Sequence, residues 1–163
     1  MANIQQYLTQ EIGNVQNVDT QKVIVNVKKE ELLNKLKIND LAILSGNNAD
    51  EKLIGIVTKV SKKSIDFNGT EIDEDSLLEY SYNFCSITLV GTFYSKISPT
   101  QNNIFKRAVN TYPEINSPVF LADDDALYMI MNSLTNNQSH GKELNIGKYA
   151  SNQSVEAILD GNK

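Results

Sequence analysis

The chain has 163 residues, of which 40% are hydrophobic and 21% charged, an ordinary globular balance that suits one domain or one domain with an appendage. Its formal net charge of −5 argues against a domain that grips nucleic acid through a broad basic surface. No apolar run approaches the roughly 20 residues of a membrane span. Cys85 is the single cysteine, which excludes an internal disulfide and fits a reducing compartment. The opening MANIQQYLTQEIGN carries neither a basic n-region nor an apolar h-region, so the expected location is cytoplasmic.

In chain order, residues 1–10 read as an N-terminal arm, and period-two alternation begins near Ile12. IGNVQNV leads through the turn-like Asp19-Thr20-Gln21 into KVIVNVK, where Val23, Val25 and Val27 share one strand face. KKEELLNKLK follows as a short helix, with Leu32, Leu33 and Leu36 at helical spacing. Asn39-Asp40 turns the chain into the strand LAIL, and SGNNADE is a loop. KLIGIVTKV is apolar on both faces, as in a strand buried on both sides or part of a closed sheet. Asn68-Gly69, between Phe67 and Thr70, is a hairpin signal, because both turn residues must take positive φ. In EYSYNFCSITLVGTF the apolar phase flips between Phe84 and Cys85. Such a flip marks a β-bulge, or a long strand serving two neighbouring surfaces. Close-spaced short strands over residues 11–95 point to a small closed β-barrel, with a two-sheet sandwich as the competing fold.

The second half differs. Residues 96–118 read as a long polar connection with apolar anchors Ile104, Phe105, Val109 and Tyr112; connections of this length are functional or pinned to a neighbour. From Val119 the pattern is β-α-β-β. VFL is a short strand, and DDDALYMIMNSL is a helix capped by Asp123 or Asp124, with Leu127, Ile130, Met131 and Leu134 as its buried stripe. TNNQSHGKE is a loop, and LNIGKY and VEAIL are the last strands. Residues 119–163 are too few for an independent core. The expected fold class is therefore mainly β, a small closed barrel followed by a short β-α-β-β lead-in to a further domain.

No catalytic, cofactor-binding or metal constellation emerges. Asp123-Asp124-Asp125 is explained by helix capping rather than by a metal, since three consecutive side chains diverge. His140 has no second histidine and no cysteine nearby to form a zinc site. Cys85, on an apolar strand, reads as a small buried hydrophobe. Gly141-Lys142 lacks the preceding glycine and the following hydroxyl of a phosphate loop. Arg107 is an isolated basic residue in the long connection, where its fork of donors suits a carboxylate or phosphate on a neighbour. Lysines cluster at Lys28, Lys29, Lys35 and Lys37, and again at Lys59, Lys62 and Lys63. The second group, near Phe67, supports an alternative reading as a stand-alone barrel binding nucleic acid like an OB-fold. A third reading, a small enzyme using Asp123 to Asp125, has the least support.

The order Ile12-Gly13, VIVNV, LLNKLKINDLAIL and LIGIVTKV resembles the N-terminal HAS barrel of HerA-type ATPases and rotary ATP synthases. IFKRAVNTYPEINSPVFLADDDALYMIM is similar to the connection that follows in the HerA family. NIGKYASNQSVEAILDGNK resembles the family segment just before the phosphate-binding loop, with Asn162-Lys163 leading into the Walker A strand. The chain departs from the family pattern at Asn39 and Ala108, where glycines are common. The resemblance implies a chain stopping short of a RecA-like ATPase domain, to which ATP and magnesium would belong. It implies hexameric rings of a DNA translocase or helicase that moves double-stranded DNA through that missing motor. The barrel would be a non-catalytic collar for assembly and for docking a nuclease or, in antiviral defence, a sirtuin-like NAD-consuming effector. Arg107, Tyr112 and Pro113 are the expected oligomer contacts.

Overall fold

The structure is a computed structural model and describes residues 4–65, 80–98, 101–135, 143–149 and 152–160. The strands are β1 (Gln10–Asp19), β2 (Lys22–Val27), β3 (Leu41–Ser45), β4 (Glu51–Ile65), β5 (Tyr80–Ser98), β6 (Gln101–Lys106), β7 (Pro118–Leu121), β8 (Glu143–Tyr149) and β9 (Asn152–Asp160). The helices are α1 (Glu30–Lys35) and α2 (Asp124–Thr135), with a 3₁₀ turn at Ile4–Tyr7. Strands pair antiparallel in the order β2-β1-β7-β3-β4-β5, and β5 returns to β2. Six strands therefore close into an antiparallel barrel, and β6 pairs with the far end of β5 outside the closure. The sandwich alternative is set aside by the β2–β5 pairing, which joins the two ends of the sheet.

Alternation along each strand sends one set of side chains inward. Val23, Val25 and Val27 all lie in the interior cluster with Ala42, Leu44, Leu53, Val57, Cys85, Ile87 and Leu89. Leu33 and Leu36 of α1 join the same cluster. Because α1 belongs to no wall strand, its leucines reach the interior only through a mouth of the barrel, and they plug it. The outer wall carries a second apolar cluster: Ile43 and Ile54, directly paired between β3 and β4, with Phe93, and over them Ile4, Ala126 and Ile130. This explains why β4 is apolar on both faces. Leu53 and Val57 point inward, and Ile54 points outward beneath α2. Ile4 is fully buried there, so the expected N-terminal arm is docked from Ile4 onward.

Bulges set which side chains face which way. In the β4–β5 ladder the register slips at Thr58 and at Val90, whereas pairing runs unbroken through Phe84 and Cys85. The phase flip between those two residues is therefore not a bulge. Cys85 faces the interior, whereas Tyr82 and Phe84 face the outer wall of a strand that serves two surfaces.

Three expectations need correction. β7 is a wall strand between β1 and β3, so the barrel does not end at residue 95 and the stretch from Val119 does not stand apart from it. Residues 101–106, expected as irregular connection, form β6, because Ile104 and Phe105 pair with Tyr94 and Phe93. In α2 the buried residues are Ala126, Leu127, Ile130 and Ser133, so Leu127 and Ile130 of the expected stripe are buried, whereas Met131 is half-buried and Leu134 is exposed. Asp123 is the N-cap, its Oδ1 accepting from the Ala126 N–H at 2.8 Å. β8 and β9 form a separate two-stranded sheet. The Asn68-Gly69 turn, His140, Gly141-Lys142 and Asn162-Lys163 lie outside the described residues.

Candidate functional site

Two surfaces of the barrel combine exposure with a fixed frame. The first is the segment from Arg107 to Ser117. It leaves β6 beside β4 and β5, where the Thr92 hydroxyl donates to the Ala108 carbonyl at 2.8 Å and the Thr111 hydroxyl donates to Glu51 Oε1 at 2.7 Å. It arrives at β1, where Asn116 N–H donates to the Val15 carbonyl at 2.8 Å and Val15 N–H donates to the Ser117 carbonyl at 3.0 Å. Asn14 adds a side-chain bond to the Asn116 carbonyl, and Asn116 takes the left-handed conformation at φ 68° that asparagine tolerates. β4 and β5 are not neighbours of β1 in the barrel, so the segment crosses a mouth. Val109 packs onto the interior cluster from it. With α1 at the other mouth, both ends are filled.

Of the expected contact residues, Arg107 is exposed and Tyr112 is 48% exposed, whereas Pro113 is buried. Pro113 therefore anchors the segment and offers no surface to another molecule. Ile115, 55% exposed, replaces it on the outward side. An exposed apolar residue of that size is individually ordinary, and the sequence pattern gave no separate signal for it.

The second surface is an open groove of about 520 Å³ on the outer wall, lined by Gln16, Asn17, Lys22, Ile24, Lys59, Ser61, Lys63, Phe84 and Ser86. Its floor is the β2–β5–β4 sheet, in which Ile24 pairs with Ser86 and Ser86 with Lys59. The bulge at Thr58 places Lys59, Ser61 and Lys63 outside. Lys62 points the other way and pairs with Glu30 of α1 at 2.9 Å. The sequence cluster Lys59, Lys62, Lys63 is thus split. Lys22, 37 residues earlier than Lys59 in the chain, joins the groove instead. Phe67 lies outside the described residues; the aromatic lining the groove is Phe84, whose ring stacks with that of Tyr82, centroids 6.1 Å apart and planes 11° apart.

The remaining candidates occupy structural roles. Asp123 uses Oδ1 as the helix cap and accepts from the Thr9 hydroxyl on Oδ2. Cys85 is fully buried, and burial pushes its thiol up to about 12. Lys52 is also buried, and desolvation lowers its pKa against the opposing pull of Asp50. Among the described residues no group of three or more His, Cys, Asp or Glu side chains could hold a metal ion, and no helix is long and apolar enough to cross a membrane. No protein-family model matches the chain, and no curated protein matches it.

Proposed function

We propose that this chain is the assembly and docking barrel of a cytoplasmic HerA-like, ATP-driven DNA translocase, acting as a non-catalytic collar of a hexameric ring. On the resemblance of residues 145–163, the nucleotide-binding motor would follow in the parent protein and would hold ATP, magnesium and double-stranded DNA. The docked partner would be a nuclease or a sirtuin-like NAD-consuming effector. One observation carries the proposal: a barrel filled from both mouths holds a hydrogen-bonded strip, Arg107 to Ser117, with Arg107, Tyr112 and Ile115 turned outward. A filled interior directs recognition to the outer surface. A strip tied at both ends loses little conformational entropy when it binds, which favours docking. Identical strips around a ring would make the repeated heterologous contacts that close a cyclic assembly.

Native mass spectrometry tests this directly. The wild-type chain is expected to show oligomers that diminish on Arg107→Ala and vanish on Tyr112→Ala combined with Ile115→Ser, with the melting temperature of each variant within a few degrees of wild type. Unchanged assembly in the Tyr112→Ala, Ile115→Ser double variant would overturn the assignment of this strip.

A further inference from the structure

The geometry points to a peptide-docking groove beneath the N-terminal arm, which the arm fills and which a segment carrying an aliphatic side chain beside carboxylates fits better. The groove lies on the outer wall, between α2 and the β3–β4–β5 sheet. Ile43, Ile54 and Phe93 form its floor and Ala126 and Ile130 its α2 side, and Ile4 occupies it fully buried. Ile4–Tyr7 make one 3₁₀ turn, and Tyr7 and Leu8 pack against the same cluster only in part. The Gln5 amide donates to the Ala49 carbonyl at 2.9 Å and the Thr9 hydroxyl to Asp123 Oδ2 at 3.4 Å, both in exposed positions. Exposed hydrogen bonds contribute little net stability. The arm is therefore held mainly by one aliphatic side chain, and it opens locally more readily than the barrel unfolds.

What the arm leaves unanswered is a charge. Lys52 stands on the same outer face of β4, directly across from Phe93 and two residues before Ile54. It is 6% exposed, yet its ammonium forms no hydrogen bond or ion pair with the described residues. Desolvation lowers its pKa, outweighing the opposing pull of Asp50. Asp123 offers it nothing, because its two oxygens accept from the Ala126 N–H and the Thr9 hydroxyl. The acidic residues of 66–79 begin only after Ile65, 13 residues further along the strand, or about 43 Å. Burying an unpaired ammonium costs free energy, and the arm follows its anchor with the neutral Gln5 and Gln6. A segment with an aliphatic side chain in place of Ile4 and carboxylates at the next two positions keeps the apolar contact and adds a charge-assisted one. The arm is thus a built-in weak competitor, and docking of such a segment releases it. One buried lysine in an apolar groove selects a peptide over a nucleic acid, whose backbone brings a row of phosphates and no aliphatic anchor. The inference does not rest on the assembly role of the strip Arg107 to Ser117, so either can fail without the other.

The test is methyl NMR on the full chain, labelled at its isoleucines and titrated with an acetylated peptide of residues 4–10 that carries Gln5→Glu and Gln6→Glu. The Ile4 signal should move to the position of a solvent-exposed isoleucine as this acidic peptide is added, while that of Ile87, inside the barrel, stays in place. The unsubstituted peptide should need roughly 10- to 100-fold higher concentration for the same displacement. In the Lys52→Met chain the two peptides should agree within about threefold. Ile4→Ser, which vacates the groove, should tighten binding of the acidic peptide about tenfold or more, followed at Ile54. Circular dichroism melts establish that each variant is folded, and the comparison of the two peptides on Ile4→Ser carries the test if Lys52→Met is not. An Ile4 signal that millimolar acidic peptide leaves in place would overturn the proposal. Equal potency of the two peptides, or a preference that survives Lys52→Met, would overturn it as well.

Discussion

Cys85 faces the barrel interior beside Val25 and Val60, its partners across β2 and β4. Burial pushes its thiol up to about 12, from an ordinary value of 9.0. The folded chain therefore holds this proton more tightly than the unfolded chain does. The corresponding stability is fully present below pH 9 and is lost as pH rises from about 9 to about 12. Other groups titrate in that range, so the comparison is with Cys85→Val. The free-energy difference between the two proteins in urea unfolding should shift against wild type by about 1.4 kcal/mol per pH unit above 9. A difference independent of pH from 8 to 11 would show that the thiol is not shielded. Single residues also decide what the sequence reveals. Val23, Val25 and Val27 announce their face by simple alternation, and they occupy it. Lys59 does not. Counting by twos from Leu53 and Val57 puts Lys59, Ser61 and Lys63 inside the barrel. The extra residue at Thr58 reverses the parity, so Val60 takes the interior place. A bulge of this kind leaves no glycine or proline to mark it, so the groove was hidden although each of its residues was in plain view. Gly13 is the opposite case: a β-carbon there would run into the Asn26 carbonyl oxygen of the paired strand, which explains a glycine within an otherwise β-favouring run.

At the level of elements, α2 was legible from its cap and α1 from its leucines, because both signals are local. Asp123 should therefore behave unlike its two neighbours. Asp123→Ala is expected to cost about 1 kcal/mol by removing the bond to the Ala126 N–H. Asp125→Ala, at an exposed position in the first turn, should cost no more than about 0.5 kcal/mol through the helix dipole. Chemical denaturation of the two single variants measures this, and equal losses would contradict the capping assignment. β7 was legible as a strand but not as a wall of the barrel. It is only four residues long, and its partners Gly13 and Ala42 are more than 70 residues away in the chain. Nothing local encodes which edge it completes. β6 was missed for a related reason: QNNIFK has a polar first half, and its strand character comes from pairing with β5 rather than from its own pattern.

For the whole molecule, closure removes the two free edges that a six-stranded antiparallel sheet would otherwise present. The interior is filled by alternating valine, leucine and isoleucine, and the outer wall beneath α2 holds a second core around Phe93, Ile54 and Ile130. Two cores on either side of one sheet fix the barrel as a rigid body, and this rigidity is what the proposed docking role requires. The mouth-crossing strip would act as the contact surface, and the lysine groove on the side wall would remain open to solvent within an assembly. Amide hydrogen exchange over a protein concentration series measures this most directly. The account predicts that exchange at Tyr112 and Ile115 slows as concentration rises, while exchange in β2 and in β4 around Lys59 stays constant. Exchange in residues 107–117 that is indifferent to concentration, or protection that develops on another face, would contradict it.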